Sequence, residues 1–344
     1  MTQSLQIAAI VGGWNDPSSR FRVLQHVGLL ADQGIALRAR VPVFRSFPPQ
    51  LTAWRPLWGG AVLAERLGMA LATHRCEATL LQRTMVSTLC TFESLCRAPR
   101  IFDVDDSIHL YRGGGPARRV AEGCELVICG NDYLAEWYAR HAHRVAILPT
   151  AVDTRRWRPA VTAPTRPCVG WIGSSSNASH LLARQVALRA FLEACPDWTL
   201  RVVSDSRPAL NDLPASRWAF VPWSPKTEVA ETAGFSIGLM PLHDGEWERG
   251  KCSYKMLLYM ACGIPVVVSP VGMNLQVLAQ GACGLAAKTE DEWATALVSL
   301  ARDSSLRGAL GATGRAVIER DFSSEVIAPK LAGLLRGAAG RSGA

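Results

Sequence analysis

Several features that would place a chain in a common class are absent from this sequence. No stretch reaches the roughly 18 uninterrupted apolar residues of a membrane span. The opening "MTQSLQIAAIVGGW" lacks the basic start and long apolar core of a signal peptide. There is no CxxC pair, no GxGxxG motif, no short repeat and no low-complexity block. We therefore expect a soluble or peripheral protein that is not a nicotinamide dehydrogenase.

The cysteines also lack any framework spacing. They are scattered, and most lie in apolar runs such as "CELVIC". This placement is typical of buried thiols in a reducing compartment, so we expect a cytoplasmic protein without disulfide bonds or a zinc site. The ten positions are Cys76, Cys90, Cys96, Cys124, Cys129, Cys168, Cys195, Cys252, Cys262 and Cys283.

The composition is that of a globular protein. The chain has 344 residues, of which 49% are hydrophobic and 19% charged. This length predicts two domains of roughly 150 residues each. The net charge of +8 favours anionic partners such as nucleotides, phospholipid surfaces or nucleic acid, but it does not choose among them. No nucleic-acid-binding module is recognisable.

Short apolar runs alternate with longer amphipathic stretches, which is the pattern of strand–helix units around parallel sheets. In "SSRFRVLQHVGLLADQG" we expect one helix, capped by Ser18 or Ser19 and closed by Gly34. The segment "PTAVDTRRWRPAVTAPTRP" reads as a linker, after which the strand, glycine loop and helix pattern recurs. We predict domains at 1–150 and 151–322, then a terminal helix and disordered tail at 323–344. The predicted strands are "LQIAAIVGG", "ATLLQR", "RIFDVDD", "ELVICGN" and "RVAILPT" in the first half, and "CVGWIG", "WTLRVVSD", "WAFVPW", "FSIGLMPL" and "IPVVVSPVG" in the second.

The segment "GKCSYKMLLYMACGIPVVVSPVG" (250–272) is the strongest candidate for a binding site. A helix is predicted from Cys252 to Cys262, ended by Gly263 and Pro265, and it is apolar on every side beyond its first turn. Such a helix should be buried.

The first turn of this predicted helix has the chemistry of an anion site. Gly250 permits close backbone approach, Lys251 and Lys255 lie four residues apart on one face, and the amides of Lys251, Cys252 and Ser253 are unsatisfied within the helix. Free amides, the positive end of the helix dipole and two ammonium groups favour a diphosphate. The alternative is that both lysines are solvated at the start of a core helix.

This segment resembles the donor-binding segment of retaining GT-B glycosyltransferases of the family 4 type, in the variant with paired lysines before the helix. The stretches "SSRFRVLQHVGLL", "FDVDDSIH" and "VGWIGSSSNASHL" resemble the same variant, and "PTAVDTRRWRP" resembles the family's interdomain crossing. Their order along the chain matches that of the family. The resemblance implies an α/β protein of GT-B fold, with two Rossmann-like domains facing each other across a cleft. It also implies an N-terminal acceptor-binding domain and a C-terminal nucleotide-sugar-binding domain.

The resemblance implies a reaction as well. A sugar would move, with retention, from a UDP- or GDP-sugar to a glycan, a lipid-linked or a small-molecule acceptor. No cofactor and no metal are expected, because Lys251, Lys255 and the helix terminus would neutralise the leaving diphosphate. Polysaccharide biosynthesis is the expected setting.

Two departures from the family pattern leave other functions open. Gly250 and Leu258 stand where many members carry two glutamates, and Trp171 replaces a frequent arginine. Asp244, Glu246 and Glu248 are nearby substitutes for the outer glutamate, and Glu248 is our catalytic candidate. A non-catalytic nucleotide- or glycan-binding protein and a nucleotide-sugar epimerase remain the alternatives.

The stretch "FDVDDSIH" places three acids and a histidine at the end of a predicted strand. Asp103, Asp105 and Asp106 fit a metal site, contacts to sugar hydroxyls, or a structural turn and helix cap. We assign Asp105, Asp106 and Arg20 to acceptor binding. His109 is the candidate contact to the transferred sugar, although a lone histidine is more often structural.

Two glycine loops and one tryptophan complete the donor-site candidates. Gly12 and Gly13 follow the first strand, where substrate could approach the backbone, but such a pair also marks an ordinary turn. Gly173, Ser174 and Ser175 follow the corresponding strand of the second half. Trp223 falls where the family's base-binding segment lies, and it is about equally suited to the core.

A basic and aromatic stretch in the first half suits peripheral contact with the inner face of a membrane that carries a lipid-linked acceptor. A solvated surface loop is the competing interpretation. The residues are Arg38, Arg40, Arg45, Arg55 and Arg66 with Phe44, Phe47, Trp54 and Trp58.

Overall fold

The computed structural model describes residues 4–44, 51–161 and 166–340, and in these ranges the chain forms two parallel six-stranded sheets. The strands are β1 (Leu5–Ile10), β2 (Ile35–Arg40), β3 (Ala78–Gln82), β4 (Arg100–Val104), β5 (Leu126–Cys129), β6 (Val145–Ile147), β7 (Cys168–Ile172), β8 (Thr199–Ser204), β9 (Trp218–Pro222), β10 (Ile237–Met240), β11 (Val266–Val268) and β12 (Gly284–Ala286).

The helices follow the strands in sequence and pack on the faces of the sheets. They are α1 (Pro17–Arg22), α2 (Val27–Ala31), α3 (Arg55–Ala72), α4 (Gly115–Glu122), α5 (Asp132–Tyr138), α6 (Ala178–Leu182), α7 (Gln185–Ala194), α8 (Glu228–Ala233), α9 (Glu246–Arg249), α10 (Tyr254–Ala261), α11 (Met273–Leu278), α12 (Glu290–Arg302), α13 (Ser304–Val317) and α14 (Ser324–Ala338). Short 3-10 segments occur at Leu24–His26, Thr52–Trp54, Thr73–Arg75, Glu93–Leu95, Ile108–Gly114, Ser175–Asn177 and Ala215–Arg217, and a π turn at Ile318–Phe322.

Unit 1 contains the chain up to Ala151, the segment Gly250–Cys252 and the chain from Ser324 onward. Its strand order is β2-β1-β3-β4-β5-β6. Alternate strand residues face opposite sides, so each face of the sheet has its own apolar core. The terminal helix α14 packs Leu331 and Leu335 into the core that contains Ile7 and Leu80. The end of the chain is therefore part of the first unit.

Unit 2 contains Val152–Arg249 and Ser253–Ser323. Its strand order is β12-β11-β10-β7-β8-β9. The large side chains Trp171, Phe191 and Trp293 fill one core. A Cβ at Gly170 would overlap the ring of Phe235, so this central strand position must be glycine. Residues Met256–Ala261 of α10 are all buried, which confirms the prediction of a buried helix.

The predicted α/β class with two Rossmann-like units is confirmed, but several element boundaries were wrong. The single helix expected after β1 is divided into α1, a 3-10 turn and α2, and its cap is Asp16 rather than Ser18 or Ser19. Strands β2 and β12 were missed. Helix α10 begins at Tyr254 instead of Cys252.

The segment predicted to be a linker packs against unit 2. Trp157 is fully buried, and Arg315 donates hydrogen bonds to the carbonyls of Thr154 and Trp157. Residues 162–165 of this segment and 341–344 of the predicted tail lie outside the described residues.

The cysteines are all free thiols, and nine of the ten are buried, which confirms that interpretation except at the partly exposed Cys90. Among the described residues, no helix combines the length and apolarity that crossing a bilayer requires.

Candidate functional site

The start of α10 lies in unit 2 and has an unusual cap. Ser253 has a φ of 52°, in the left-handed region, and its hydroxyl donates to Asn274 Oδ1 at 2.7 Å instead of accepting from a helix amide. Asn274 in turn donates to the carbonyl of Ser269 at 2.9 Å. The Ser253 side chain therefore does not cap the first turn of α10.

Lys255 lies in this first turn and is held against the glycine loop after β7. A Cβ at Gly173 would lie 2.8 Å from Lys255 Cε and 2.6 Å from Trp171 Cζ2. The Lys255 ammonium lies 6.0 Å from the centre of the Trp171 ring. Gly173 therefore allows the lysine and the tryptophan of this chain to approach closely, and Trp171, at the predicted arginine position, is a core residue.

The segment Gly250–Cys252 packs within unit 1, against the "FDVDDSIH" stretch. A Cβ at Gly250 would overlap Ser107 Oγ and lie 3.0 Å from Ser107 N, so glycine is required there. The carbonyl of Lys251 accepts from Asn131 Nδ2 at 3.1 Å, and the Cys252 thiol donates to the carbonyl of Asp105 at 3.2 Å. Burial raises the pKa of Cys252, so this group stays a neutral donor. The neighbour that requires glycine at position 250 is Ser107, and the predicted role of Gly250 in donor binding stays a prediction.

The acids of "FDVDDSIH" are paired with arginines. Asp103 forms a two-point ion pair with Arg22, with distances of 3.0 and 2.6 Å, and both side chains are buried. Arg83 binds Asp105 at 2.8 Å and Asp106 at 2.5 Å. Among the described residues there is no group of three or more histidine, cysteine, aspartate or glutamate side chains arranged to hold a metal ion.

Ionisation of these acids follows from their partners. Burial disfavours the charge on Asp105, yet the Arg83 charge, together with hydrogen bonds from Arg83 and Ser18, holds its pKa below the ordinary value. Burial likewise opposes the charge on Arg22 and Arg83, but the carboxylates raise the pKa of both guanidinium groups. Asp105 and Arg83 therefore stay charged at neutral pH, whereas for Asp103 burial outweighs the attraction of Arg22 and raises the pKa of the carboxyl group.

The sequence analysis missed Arg22 and Arg83 as members of this cluster. Arg83 ends the predicted run "ATLLQR", so its position beside a strand end was visible, but its two carboxylate partners were not. The predicted acceptor residue Arg20 lies elsewhere, with its guanidinium carbon 4.7 Å from the centre of the Phe21 ring.

His109 is buried in an aromatic environment within unit 1. Its ring stacks on Trp137 with centroids 4.8 Å apart and lies 6.0 Å from Tyr133. Burial lowers the pKa of His109 to about 4, so the ring is neutral at pH 7. Its Nδ1 atom is buried without a hydrogen-bond partner in the described structure, which leaves one polar atom for a ligand or a water molecule.

The two predicted glycine loops have different partners. The amides of Gly12 and Gly13 both donate to Ser19 Oγ, at 2.9 and 3.3 Å, and Ser19 is held by Asp16. After β7, the amide and hydroxyl of Ser175 both donate to Asp205, at 2.6 and 2.8 Å. Ser174 Oγ accepts from Asn177 Nδ2 at 2.8 Å.

Glu248 lies beside a histidine pair in unit 2. His180 Nε2 is 3.5 Å from Glu248 Oε1, and His180 Nδ1 accepts from the amide of His243 at 3.3 Å. An Nδ1 that accepts leaves the proton on Nε2, so His180 presents an N–H to the Glu248 carboxylate. A Cβ at Gly245 would lie 2.6 Å from Glu248 Oε2, so this glycine leaves room for the carboxylate.

Trp223 is half-buried at the end of β9. Its Nε1 donates to Glu228 Oε2 at 3.1 Å, and Glu228 also binds Arg156 at 2.7 Å. The indole is thus fixed in one orientation by a buried carboxylate. Leu258 is buried in α10, so no carboxylate takes the place of the family's inner glutamate.

The predicted basic and aromatic stretch is divided by the fold. Arg66 is buried and donates to the carbonyls of Met85 and Phe44, at 2.9 and 2.8 Å, which corrects its assignment to a basic surface. Trp54 and Arg55 are exposed, and Trp58 is half-buried. Arg45 and Phe47 lie outside the described residues.

Comparison with known proteins agrees with this geometry. Residues 166–303, which include both the Gly173 loop and α10, match the family model described as glycosyl transferases group 1. None of the curated protein sequences matches the chain.

Solved structures establish the fold over nearly the whole chain. Sucrose-phosphate synthase from Thermosynechococcus elongatus superposes with a TM-score of 0.71 at 14% identity, covering 98% of this chain and 100% of that one. Anabaena HepE in complex with UDP and glucose gives 0.70 at 14% identity, with 97% and 100% covered. WaaG, a glycosyltransferase involved in lipopolysaccharide biosynthesis, gives 0.68 at 14% identity, with 96% and 100% covered. The predicted GT-B fold is confirmed.

Proposed function

We propose that this protein is a glycosyltransferase that moves a sugar from a nucleoside-diphosphate sugar to a glycan, a lipid-linked or a small-molecule acceptor. The observation that carries the proposal is the start of α10: Ser253 leaves the first helical turn without a side-chain cap, and Lys255 lies in that turn beside Gly173. The family match over residues 166–303 supports it.

The chemistry needed at this position is stabilisation of a leaving diphosphate. As the bond to the sugar breaks, negative charge grows on the diphosphate, and fixed positive groups lower the energy of that state more than of the ground state. Lys255 and the positive end of the α10 dipole supply such charge in unit 2. Lys251, three residues before α10 in the sequence, is assigned as the second ammonium. With this charge in place the reaction proceeds without a metal ion.

Within unit 2, the strand order supports one position for the donor site. In an order of the type 3-2-1-4-5-6, nucleotides bind beyond the carboxyl ends of the central strands, where the order reverses. In unit 2 these strands are β7 and β10. They are followed by Gly173 on one side and His243 on the other. We assign UDP or GDP as the nucleotide, with Trp223 beside the base.

The remaining assignments rest on the resemblance and on unit 1. His109 offers an unpartnered nitrogen in a neutral ring, which suits a hydrogen bond to a sugar hydroxyl. Asp105 and Asp106 keep acceptor oxygens in a charged cluster suited to acceptor hydroxyls. Transfer with retention, a cytoplasmic location and a role in polysaccharide biosynthesis complete the proposal, and the buried free thiols support the location.

A non-catalytic binding protein is the second candidate, and the buried Leu258 is the observation that favours it. Without a carboxylate at that position, contacts to the ribose must come from other groups. The same site would then bind a nucleotide without turnover. Product analysis separates these functions. A transferase releases nucleoside diphosphate and glycosylated acceptor together, a binding protein forms no product, and an epimerase changes the sugar without an acceptor.

The first test measures thermal unfolding with UDP, GDP, ADP and CMP on the native protein and on the Lys251→Ala/Lys255→Met variant. Methionine keeps the length of the Lys255 side chain against Trp171 and removes the charge. One nucleoside diphosphate should stabilise the native protein, by about 2.7 kcal/mol at a hundredfold excess over its Kd. The variant should lose this stabilisation, and turnover should fall by about 10³-fold or more.

The matched control is Lys226→Ala/Lys288→Ala, which removes two exposed positive charges of unit 2 that do not belong to α10. It should bind and react like the native protein. Equal nucleotide binding in both double variants would show that the donor site does not lie at α10. Binding without turnover in the native protein, with a range of donors and acceptors, would favour the binding-protein function.

A further inference from the structure

His180 is a buried histidine in α6, the short helix that follows the Gly173 loop of unit 2. Its side chain is 6% exposed, and the next residue, Leu181, is fully buried in the core. A buried imidazole needs partners for its ring nitrogens, because an unpaired polar atom away from water costs free energy. The partners of the two nitrogens therefore indicate what this side chain does.

The two ring nitrogens of His180 have different partners. Nδ1 accepts a hydrogen bond from the amide of His243 at 3.3 Å, and the centres of the two rings lie 4.6 Å apart. With Nδ1 as the acceptor, the neutral ring carries its proton on Nε2. Nε2 lies 3.5 Å from Glu248 Oε1. His180 thus directs an N–H toward the carboxylate, and contacts of this length in a ligand-free site commonly shorten when substrate binds.

The backbone that carries His243 is fixed by the end of the neighbouring strand. The amide of Leu242 donates to Ser269 Oγ at 2.9 Å, and the amide of Ser269 donates to the carbonyl of Met240 at 3.1 Å. The loop after β10 is therefore held in place. With it is held the amide that selects the tautomer of His180.

Glu248 differs from the two other acids that follow β10. The side chain of Asp244 is 58% exposed and pairs with Arg249 at 2.9 Å, and Glu246 is exposed. The side chain of Glu248 is only 13% exposed. Its Oε2 lies beside Gly245, where a Cβ would be 2.6 Å away. One oxygen of Glu248 therefore meets His180, and the other lies against backbone that carries no side chain.

The position of this pair in the sheet suits a donor ligand. His180 follows β7 and Glu248 follows β10, the two neighbouring strands at which the strand order of unit 2 reverses. A carboxylate repels a diphosphate but accepts hydrogen bonds from neutral hydroxyl groups. The part of a nucleotide sugar that fits Glu248 is therefore the sugar rather than the diphosphate.

We propose that His180 is a positioning residue, which orients the Glu248 carboxylate so that Oε2 accepts a hydrogen bond from a hydroxyl group of the transferred sugar. This inference rests on the proposed glycosyl transfer and names the part of the donor that Glu248 meets. A carboxylate that is fixed before binding loses less conformational freedom when the sugar arrives. His180 acts through Glu248 and does not itself touch the donor.

The test compares the affinity for UDP and GDP with the affinity for UDP-glucose and GDP-mannose, measured by titration calorimetry. The ratio of the affinity for the sugar nucleotide to that for the free nucleotide reports contacts to the sugar. His180→Phe keeps a ring and removes both nitrogens, and it should lower this ratio by about three- to tenfold. Glu248→Ala should lower it by about tenfold or more. The double variant should lose no more than Glu248→Ala, because His180 acts through that carboxylate.

His180→Gln is the matched variant. Its side-chain amide places an N–H near the position of Nε2 but offers no acceptor at the position of Nδ1, so it isolates the contact with Glu248. Its affinity ratio should stay within about twofold of the native value. Equal losses in His180→Phe and His180→Gln would overturn the proposal, since loss of the contact with His243 alone gives that result. His143→Phe, at an exposed position of unit 1, should bind like the native protein. Thermal unfolding checks that each variant is folded.

Three further outcomes contradict the proposal. If His180→Phe weakens UDP and UDP-glucose equally, the pair does not act on the sugar. If the double variant loses more than Glu248→Ala, His180 acts independently of Glu248. If Glu246→Ala rather than Glu248→Ala lowers the ratio, the wrong carboxylate has been assigned. A native protein that binds none of the four compounds contradicts the proposed donor site itself, whereas native binding with an unchanged ratio in His180→Phe contradicts only the role of His180.

Discussion

The sequences at the carboxyl ends of the strands are similar in the two sheets, but different side chains surround them. Each unit has a central strand followed by a glycine loop and a helix, at the point where the strand order reverses. In unit 1 this point lies between β1 and β3. Ser19 accepts from the amides of Gly12 and Gly13 and lies 3.3 Å from Gln82 Oε1 at the end of β3. The protein's own side chains therefore satisfy this loop.

In unit 2 the reversal lies between β7 and β10, and the groups around it are basic or carry exposed hydroxyls. Lys255 lies against Gly173, and the Ser253 hydroxyl bonds to Asn274 rather than to the first turn of α10. Both loops are held by an aspartate of the protein, Asp16 in unit 1 and Asp205 in unit 2, but only the unit-2 loop has a lysine side chain, Lys255, packed against its glycine.

Whether a position after a strand must be glycine depends on the side chains that pack against it. A Cβ at Gly12 would be 3.4 Å from its nearest neighbour, an ordinary contact, whereas at Gly173 it would collide with Trp171. Nothing in the two loop sequences distinguishes these cases, because Trp171 and Lys255 reach Gly173 only in the folded unit.

The largest expected effect comes from breaking the ion pair that fills the strand ends of unit 1. Asp103→Asn leaves the buried Arg22 without its carboxylate, and a buried charge that loses its partner destabilises a protein by about 3–5 kcal/mol. The hydrogen bond from Arg22 to the Leu148 carbonyl, 2.6 Å, does not replace the lost charge. Urea unfolding of the purified variant measures the loss.

The matched substitution in unit 2 is Asp205→Asn, at the end of β8. Asparagine can still accept from Ser175, and the site is exposed, so we expect a loss below about 1 kcal/mol. Similar losses in the two variants would mean that the acids at the strand ends contribute equally to the free energy of unfolding in the two units.

Glycine substitutions sharpen the comparison at a smaller magnitude. Gly173→Ala should destabilise unit 2 by about 1–3 kcal/mol, because the buried Trp171 ring must shift to admit a methyl group. It should also weaken nucleotide binding, since the stem of Lys255 moves. Gly12→Ala should change stability by no more than about 1 kcal/mol, and in the stabilising direction if the backbone is compatible. Urea unfolding of the two variants, made in parallel, tests the pair.

Much of the fold followed from the sequence because buried parallel strands are continuous apolar runs. The missed strands do not have this pattern. β2 is an edge strand of unit 1 that carries Arg38 and Arg40, and β12 is an edge strand of three residues. The start of α1 was assigned to the wrong residue because Asp16, rather than a serine, supplies the cap.

The site was predictable only where one segment supplies all the groups. The lysines before α10 could be identified from local spacing and from the resemblance. The pairing of Asp105 and Asp106 with Arg83, or of Glu248 with His180, joins residues distant in sequence. Similarly, the sequence around Arg66 is typical of a basic surface, yet Arg66 is buried. Its partners are backbone carbonyls, which the sequence does not identify.

A further property that distinguishes unit 1 is the dependence of its stability on pH. Burial lowers the pKa of His109 to about 4, and burial together with the charge of Arg22 lowers that of His26 to about 3. Below the unfolded-state pKa of about 6.5, the unfolded chain binds protons that the folded protein does not. The free energy of unfolding must therefore decrease as the pH is lowered. Their contribution is complete above pH 6.5 and is lost progressively toward pH 4.

Each histidine should contribute up to about 1.4 kcal/mol per pH unit in this window. His109→Phe keeps an aromatic ring against Trp137 and removes the titrating group. The free energy of unfolding should then change less steeply between pH 6 and 5, by the contribution of one histidine. His143→Gln, at an exposed position, should leave the slope unchanged. Urea unfolding at several pH values measures all three proteins. An unchanged slope in His109→Phe would mean that His109 becomes protonated in the folded state as readily as in the unfolded chain, which is incompatible with a neutral ring enclosed by aromatic side chains.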